Sequence, residues 1–530
     1  MSGNLRFNRL IRCELIWPLR MIRRCTDLMI PRTLETAGFM SWVRALRSGA
    51  QVACVCVLTG CTASKLPLPV GDARVGVTPP AAWSTSRATQ EGAVEWGWLR
   101  SFGEPELEQV VQEALDNNRN LRSLAARLRA AGEGVKLGRA GRLPTLGAGL
   151  SAGHTKTSVR DAQGQLGSFQ GSEDYRLSVN ASWEADVWGR LANLHRASKA
   201  DYESERADYR GARLSLVANT IKAWCNVTAS RQQVELAEQT RESFDRNQRI
   251  VERNYRAGDS AASPLDVQFA RNQLASTERG LIAQRLVLEE SRRSLEILLG
   301  RYPTGAVPGR TELPMPTNTV PAGVPSELLM RRPDLISAAA DLRASAERSH
   351  AARKNLLPSI SLSAGGATGA SVDLLDALAN PAFILGNVAA SVAQPVYRGG
   401  ALAAQARQAL ALNDAAVHTF ANFALRAFRE VESALAAERS LTQQYAFLET
   451  EVRQANLAEA QATRDYSEGI VGYLSVLEAQ RRAFNARSAM IGLRNARIQT
   501  RIDLHLALGG DFDMAMPTTP STQTLSRNHE

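Results

Sequence analysis

Aromatic residues make up only 6% of this 530-residue chain, and no apolar run is long enough to cross a bilayer as a helix. That excludes a polytopic helical membrane protein. A hydrophobic content of 44% equally excludes a disordered chain. Catalytic signatures are missing as well: there is no HExxH, GxxxxGK[ST] or GxSxG element, and no GxGxxG before a helix. The six histidines, at 154, 195, 350, 418, 505 and 529, are scattered without ligand-like spacing. Neither an enzyme, a cofactor nor a resident metal is expected. Six cysteines are too few to scaffold so long a chain with disulfides. Charge of one sign is also scarce beyond the N-terminus. Nine arginines against three acids place +6 of the net +10 in residues 1–60, so a nucleic-acid partner is not expected.

What is present begins with the cysteines. Arg44 and Arg47 precede the apolar run "AQVACVCVLTG", which ends at Cys61. A charged start, a short apolar core and small residues before a cut describe a secretory signal. Leu58-Thr59-Gly60-Cys61 resembles the bacterial lipobox, which implies cleavage before Cys61 and acylation (palmitate) of that residue. Each buried acyl methylene contributes about 0.8 kcal/mol of anchoring. Thr62 is not the Asp that favours inner-membrane retention of such lipoproteins, so the outer membrane is the expected destination. Met40 would open a compact signal by itself, with residues 1–39 an N-terminal extension.

Next, the chain repeats itself. "NLRSLAARLRAAGEGVKLGRAGRLPTLGAG" from Asn120 is matched by "DLISAAADLRASAERSHAARKNLLPSISLS" from Asp334. "YRAG…LDV" (Tyr255 to Val267) is matched by "YSEG…LSV" (Tyr466 to Val476), and "ILLG" at 297–300 by "LALG" at 506–509. The nearly constant offset, 209 to 214, marks an internal duplication. These boundaries predict an extension and signal over 1–60, a lipidated linker over 61–95 and a first repeat over 96–301. A Pro-rich crossing over 302–325, a second repeat over 326–512 and a C-terminal tail over 513–530 follow.

Each half reads as a helix, a pair of strands, a very long helix, a tight turn at Gly258 or Gly469, and a returning helix. In "YRLSVNASWEADV" residues 175, 177, 179, 181, 183, 185 and 187 share one apolar face. In a soluble sandwich that face means core; in an outer-membrane barrel it means lipid. The second strand pair ends with 383–394, and 155–174 and 365–381 read as hairpin tips. Residues 401–468 contain neither Gly nor Pro, and Leu214, Val217, Ile221, Trp224, Thr228 and Arg231 keep a heptad-like spacing. Four strands cannot close a barrel, and an open sheet edge is not tolerated in lipid. A membrane-spanning reading therefore requires oligomers: eight strands from two copies, twelve from three.

At these residues the chain resembles the TolC-like outer membrane efflux proteins, in particular the lipoprotein branch serving RND (resistance–nodulation–division) pumps. "PSELLMRRPDL" (325–335), "WGWLRSFGEPELEQVVQEAL" from Trp96 and "ADVWGR" ending at Arg190 carry the likeness. The resemblance implies a mixed α+β fold, with a homotrimeric, twelve-stranded β-barrel (four strands per protomer) continuing into a long periplasmic α-helical coiled-coil barrel. It implies an outer-membrane channel passively conducting drugs, toxic small molecules or metal ions. Its partners would be a periplasmic adaptor, an inner-membrane RND transporter and outer-membrane lipid. It also implies that the helix turns form the periplasmic tips. Tyr255, Gly258, Leu265, Asp266, Gly469 and Leu474 are then adaptor-docking candidates. Arg464, Asp465, Tyr466, Glu468 and Glu478 are gate or constriction candidates. The first tip loop, 259–264, is longer than its internal partner. Alternatives are a duct for type I protein secretion and a non-conducting coiled-coil scaffold. Replacing Cys61 with Ala is expected to abolish incorporation of radiolabelled palmitate; persistent labelling would refute the lipobox assignment.

Overall fold

The computed structural model describes residues 83–84, 104–160, 166–258, 263–307, 312–314, 331–368, 375 and 384–510. The signal and lipobox with Cys61, most of the linker, much of the Pro-rich crossing, residues 259–262 of the first tip loop and the C-terminal tail lie outside them. The described residues fall in one compact unit, 69–530.

Helix α1 (Pro105–Asn117) and helix α2 (Arg119–Ala140) lead into strands β1 (Thr145–Arg160) and β2 (Leu166–Ala185). Helices α3 (Arg190–Arg256) and α4 (Pro264–Leu298) complete the first half. The second half holds α5 (Pro333–Lys354), β3 (Ser359–Thr368), β4 (Ile384–Ala393), α6 (Ala401–Ser467) and α7 (Tyr473–Ala507). Helices α3 and α6 each have 67 residues, α4 and α7 each 35, and α2 and α5 each 22. Equal lengths at these helical stages show that the duplication preserved whole helices, whereas β1 and β2 (16 and 20 residues) outrun β3 and β4 (10 each). At about 1.5 Å per residue, α3 and α6 are each roughly 100 Å long.

The strands form one antiparallel sheet in the order β1-β2-β3-β4. The strands of the first hairpin run further than the sequence suggests. Residues 155–160 and 166–174, expected as a hairpin tip, are paired strand, with Lys156 opposite Gly171 and His154 opposite Glu173. Residues 365–368 are likewise strand. Polar and glycine-rich sequence obscures strand character, yet ladder hydrogen bonds hold wherever a partner strand is in register.

Long-helix packing follows the heptad spacing. Leu214, Val217, Ile221, Trp224 and Thr228 are buried along α3, together with Leu295 and Leu299 at the end of α4. Fully burying such a leucine contributes about 1.5–3 kcal/mol. Helix α1 seats Leu107, Val111 and Ala114 in the same core. Trp83 fills a second cluster with Val431, Leu435 and Leu504, and its ring lies 6.3 Å from that of Phe428. The Ser84 backbone N–H donates to Glu432 at 2.6 Å, so this two-residue piece is fastened to the second repeat.

One joint is built twice. Asn118 caps α2, and its Nδ2 donates to the Leu298 carbonyl at the end of α4. In the second half Arg332 takes that place, donating from Nη1 to the Ala507 carbonyl at the end of α7. The buried Arg332 guanidinium also holds Asp334 and Glu430, each at 2.7 Å. The "RRPDL" motif thus works in helix packing, tying α5, α6 and α7 together. Gly300 (φ 72°) and Gly509 (φ 68°) close the returning helices beside these joints. A Cβ at Gly300 would lie 2.6 Å from the Asn117 carbonyl oxygen, and one at Gly509 would lie 3.1 Å from the Arg331 carbonyl carbon. Glycine is required at both by conformation and by space.

The first crossing residues hang on Glu296, a buried carboxylate. It accepts from the Gly305 and Ala306 N–H groups at 2.7 and 2.9 Å and from the Thr304 hydroxyl at 3.0 Å. Burial alone raises this carboxyl, but these hydrogen bonds, with one from Val307, outweigh it and hold it below the usual range. A depressed carboxylate contributes stability above its unfolded pKa and loses it as pH falls through the folded value. Glu296→Gln is expected to destabilise by about 1–3 kcal/mol at neutral pH. That difference should shrink when thermal melts are repeated in acid below pH 4; a gap that widens there would contradict the assignment.

Candidate functional site

The sheet separates its residues by chemistry. On one face, cross-strand rows run Leu146–Ala181–Ala364–Val388, Trp183–Leu362–Ala390 and Ala185–Ile360–Val392. On the other, rows run Thr145–Ser182–Ser363–Ala389, Asn180–Gly365–Asn387 and Glu184–Ser361–Ser391. Hydroxyl pairs Thr145–Ser182 and Ser361–Ser391, each 2.8 Å apart, lace the polar side. Leu146 and Val388 are 77% and 85% exposed, so the apolar face has no cover among the described residues. Strands β1 and β4 are its two edges. No described helix is long and apolar enough to cross a membrane. An uncovered apolar face opposite a hydroxyl-lined face is the pattern of a lipid-embedded barrel wall.

Polar side chains join sheet to helix. Arg190, the first residue of α3, holds Glu184 of β2 through bonds of 2.7 and 2.8 Å. The Asp186 carboxylate accepts from the Leu191 and Ala192 N–H groups at 2.9 and 2.7 Å, capping α3 where charge favours an acid. The Trp183 indole N–H donates to the Arg142 carbonyl and that of Trp188 to the Pro358 carbonyl. The wall is thereby rigidly continuous with the 67-residue helix.

At the opposite ends of the long helices lie the turns. Gly258 and Gly469 have φ values of 74° and 75°, the left-handed conformation that stops α3 and α6. Ser263 and Asp266 form a reciprocal capping box at the start of α4. Asp266, expected as a docking residue, is thus engaged within its own helix start. Tyr255, Leu265 and Leu474 are all exposed, with Ile470 beside them at 67%. The turns therefore present an apolar surface that is exposed among the described residues.

Behind that surface sits a compact plug. Tyr473, Phe244, Val251, Val267, Ala270 and Leu477 are buried together. Tyr466, a gate candidate, is half-buried against them, its ring 6.0 Å from Tyr473. Burial, then Tyr466 and Asp266, pushes the Tyr473 hydroxyl up to about 12. Asn247 of α3 donates to Gln480 of α7 at 2.7 Å, bridging the two helical hairpins. Of the other gate candidates, Arg464, Glu468 and Glu478 are exposed and Asp465 is half-buried. Arg464 and Asp465 both bond Gln461, each at 2.6 Å. Glu468 is the C-terminal flank of α6. Glu478 pairs with Arg482 at 2.9 Å and Arg481 at 3.5 Å; the Arg482 hydrogen bond chiefly holds its carboxyl below the ordinary range. Within one chain these charges are thus latched along their own helices. Sequence reasoning missed Tyr473 and the Asn247–Gln480 bridge. The repeated Tyr466/Tyr255 signal pointed at the turn itself, and only packing reveals what lies behind it.

Cys225, the one cysteine among the described residues, is buried in α3; burial lifts its thiol to about 12 and leaves it inert.

Comparison with known proteins places this geometry. Residues 110–301 and 324–510 match the sequence profile described as "Outer membrane efflux protein". The pyoverdine export outer membrane protein OpmQ of Pseudomonas aeruginosa is 31% identical over 466 residues, 86% of this chain and 95% of that protein. The cation efflux system protein CusC of Escherichia coli K12 is 29% identical over 420 residues, 78% of this chain and 88% of its own. Among solved structures, the outer-membrane channel OprN superposes with a TM-score of 0.76 at 27% identity, covering 83% of this chain and 99% of that one. A CusC structure gives 0.72 at 28% identity, covering 82% and 98%.

Proposed function

This chain belongs to the outer membrane efflux protein family, and on that footing we propose that three copies form the exit duct of a tripartite, RND-type efflux system. Its role is passive: an inner-membrane transporter and a periplasmic adaptor supply energy and cargo, and the duct performs no chemistry. The observation that carries the reading is the four-stranded sheet, apolar on one face and hydroxyl-lined on the other, fused to helices of 67 residues. Only a closed barrel satisfies such a sheet in lipid.

The named relatives are outer-membrane proteins of pyoverdine export and cation efflux, so small molecules or metal ions are the cargo class proposed here. Cys61 is the proposed lipid anchor, which would supplement barrel insertion at the outer membrane. The repeats over 96–301 and 326–512 are the units that each contribute one strand hairpin and one helical hairpin. Tyr255, Leu265 and Leu474 form the proposed adaptor-facing surface, supported by their exposure at the turns. Gly258 and Gly469 shape those turns, while Asp266 helps form the surface by fixing the start of α4. Arg464, Asp465, Tyr466, Glu468 and Glu478 are the proposed constriction, where symmetry would repeat each charge around the axis.

Purified protein in planar bilayers is expected to give discrete channels, and neutralising Asp465 and Glu478 together should lower cation preference. Wild-type conductance and selectivity in a correctly assembled double variant would remove the gate assignment. Absence of any conductance would favour the scaffold reading.

A further inference from the structure

Where α2 ends and α3 begins, Arg139, Arg142 and Lys199 are exposed, and none of their side chains has an ion pair or hydrogen bond among the described residues. Between them lies His195, only 8% exposed, whose Nδ1 also finds no partner. We propose that this corner binds the phosphate of an anionic phospholipid in the periplasmic leaflet of the outer membrane. This rests on the lipid-embedded barrel proposed above and goes beyond it by naming a headgroup chemistry and the side chains that take it.

The corner is tightly built. A Cβ on Gly138 of α2 would stand 3.0 Å from the Ser198 hydroxyl and 3.4 Å from the His195 Cα, so the two helices nearly touch. Burial, then Lys199 and Arg142, hold the His195 imidazole below its ordinary value; Arg139 adds to them and a hydrogen bond to the Val135 backbone opposes them. Three cations thus surround one buried, unpartnered nitrogen. The acids beside these positions are already engaged: Glu133 with Lys136, Glu347 with Arg196 and Asp201 with Arg348. The counter-charge must come from outside the chain. A phosphate would offset the three cations, and the imidazole could then take a proton from solvent at Nδ1 and donate it to the anion.

The second repeat builds the same corner without the charge. Helices α3 and α6 begin at Arg190 and Ala401, an offset of 211, and α2 and α5 at Arg119 and Pro333, an offset of 214. His195 then corresponds to Ala406, Lys199 to Leu410 and Arg142 to Leu356, and only Arg139 has a cationic counterpart, Arg353. The joint itself keeps its geometry, since Trp183 donates to the Arg142 carbonyl as Gln394 does to that of Leu356. Alanine and leucine therefore satisfy packing at this corner, and the cations of the first repeat answer a different requirement.

Height and side fit a lipid headgroup. Arg142 lies three residues before β1, and the Trp183 indole that binds its carbonyl belongs to the apolar row of the sheet. The corner is thus on the lipid-facing side, directly below the embedded wall. Lys199 is nine residues beyond the start of α3, about 13 Å along the axis. Side chains on a helix lean toward its N-terminus, which for α3 is the sheet end, and a lysine stem extends that reach. Trp188 and Leu143, both exposed next to the corner, supply the apolar contact that residues at a membrane interface make.

Native mass spectrometry of the full-length protein, released from vesicles of phosphatidylglycerol mixed with phosphatidylcholine, tests the proposal. Wild type is expected to retain phosphatidylglycerol in preference. Arg142→Leu with Lys199→Leu, which installs the residues of the second repeat, is expected to lower that preference about 25-fold. Should the double variant fail to assemble, Lys199→Gln alone, at an exposed position, is expected to lower it about fivefold. No preference in wild type, or an undiminished one in assembled variants, overturns the proposal. Displacement of the bound lipid by an equal concentration of soluble glycerol phosphate overturns the lipid assignment in favour of a free-anion site. Protein that gives no channels in planar bilayers overturns the barrel reading beneath it instead.

Discussion

Everything in this chain follows from backbone hydrogen bonds that lipid refuses to satisfy. Four strands leave two open edges, β1 and β4, and each bare amide or carbonyl in hydrocarbon costs several kcal/mol. The apolar rows through Leu362 and Ile360 place the sheet in that environment, and the hydroxyl rows through Ser363 and Ser361 demand water behind it. A closed ring of strands resolves both requirements. It also dictates that the helices below it form a ring, because Arg190 with Glu184 and Asp186 with the start of α3 make wall and helix continuous.

Duplication makes that ring economical in design. Each repeat is a hairpin of strands joined to a hairpin of helices, and the same joint recurs with different chemistry. Asn118 in the first half and Arg332 in the second each hold the carbonyl at the end of a returning helix. The arginine alone adds two carboxylates to its hold, Asp334 and Glu430. The guanidinium is buried while both carboxylates reach solvent, so removing the carboxylates would leave a buried charge unpaired, which costs more than losing an exposed ion pair. That gives the charged motif at this helix start a role in helix packing.

Much of the fold was legible in the sequence because it rests on spacing. The offset between repeats, the glycines at 258 and 469 and the Gly/Pro-free stretch of α6 all survive as observed elements. The strand extent was not legible. Lys156, Gly171 and Glu173 look like loop residues, and only pairing with a partner strand makes them strand. At the tips, sequence located the turns but not their interior. Two tyrosines, Tyr466 and Tyr473, lie seven positions apart, and nothing in their spacing says that Tyr473 is the one fully buried. Capping likewise escaped notice: Asp266 reads as an exposed acid and is half of a capping box.

The central claim is that one face of the sheet meets lipid and the other meets water. Single cysteines along β4, labelled with a fluorophore in proteoliposomes, test it directly. Lipid-borne quenchers are expected to reach positions 388, 390 and 392, and aqueous quenchers 387, 389 and 391. Quenching that ignores this alternation, or reverses it, would contradict the account.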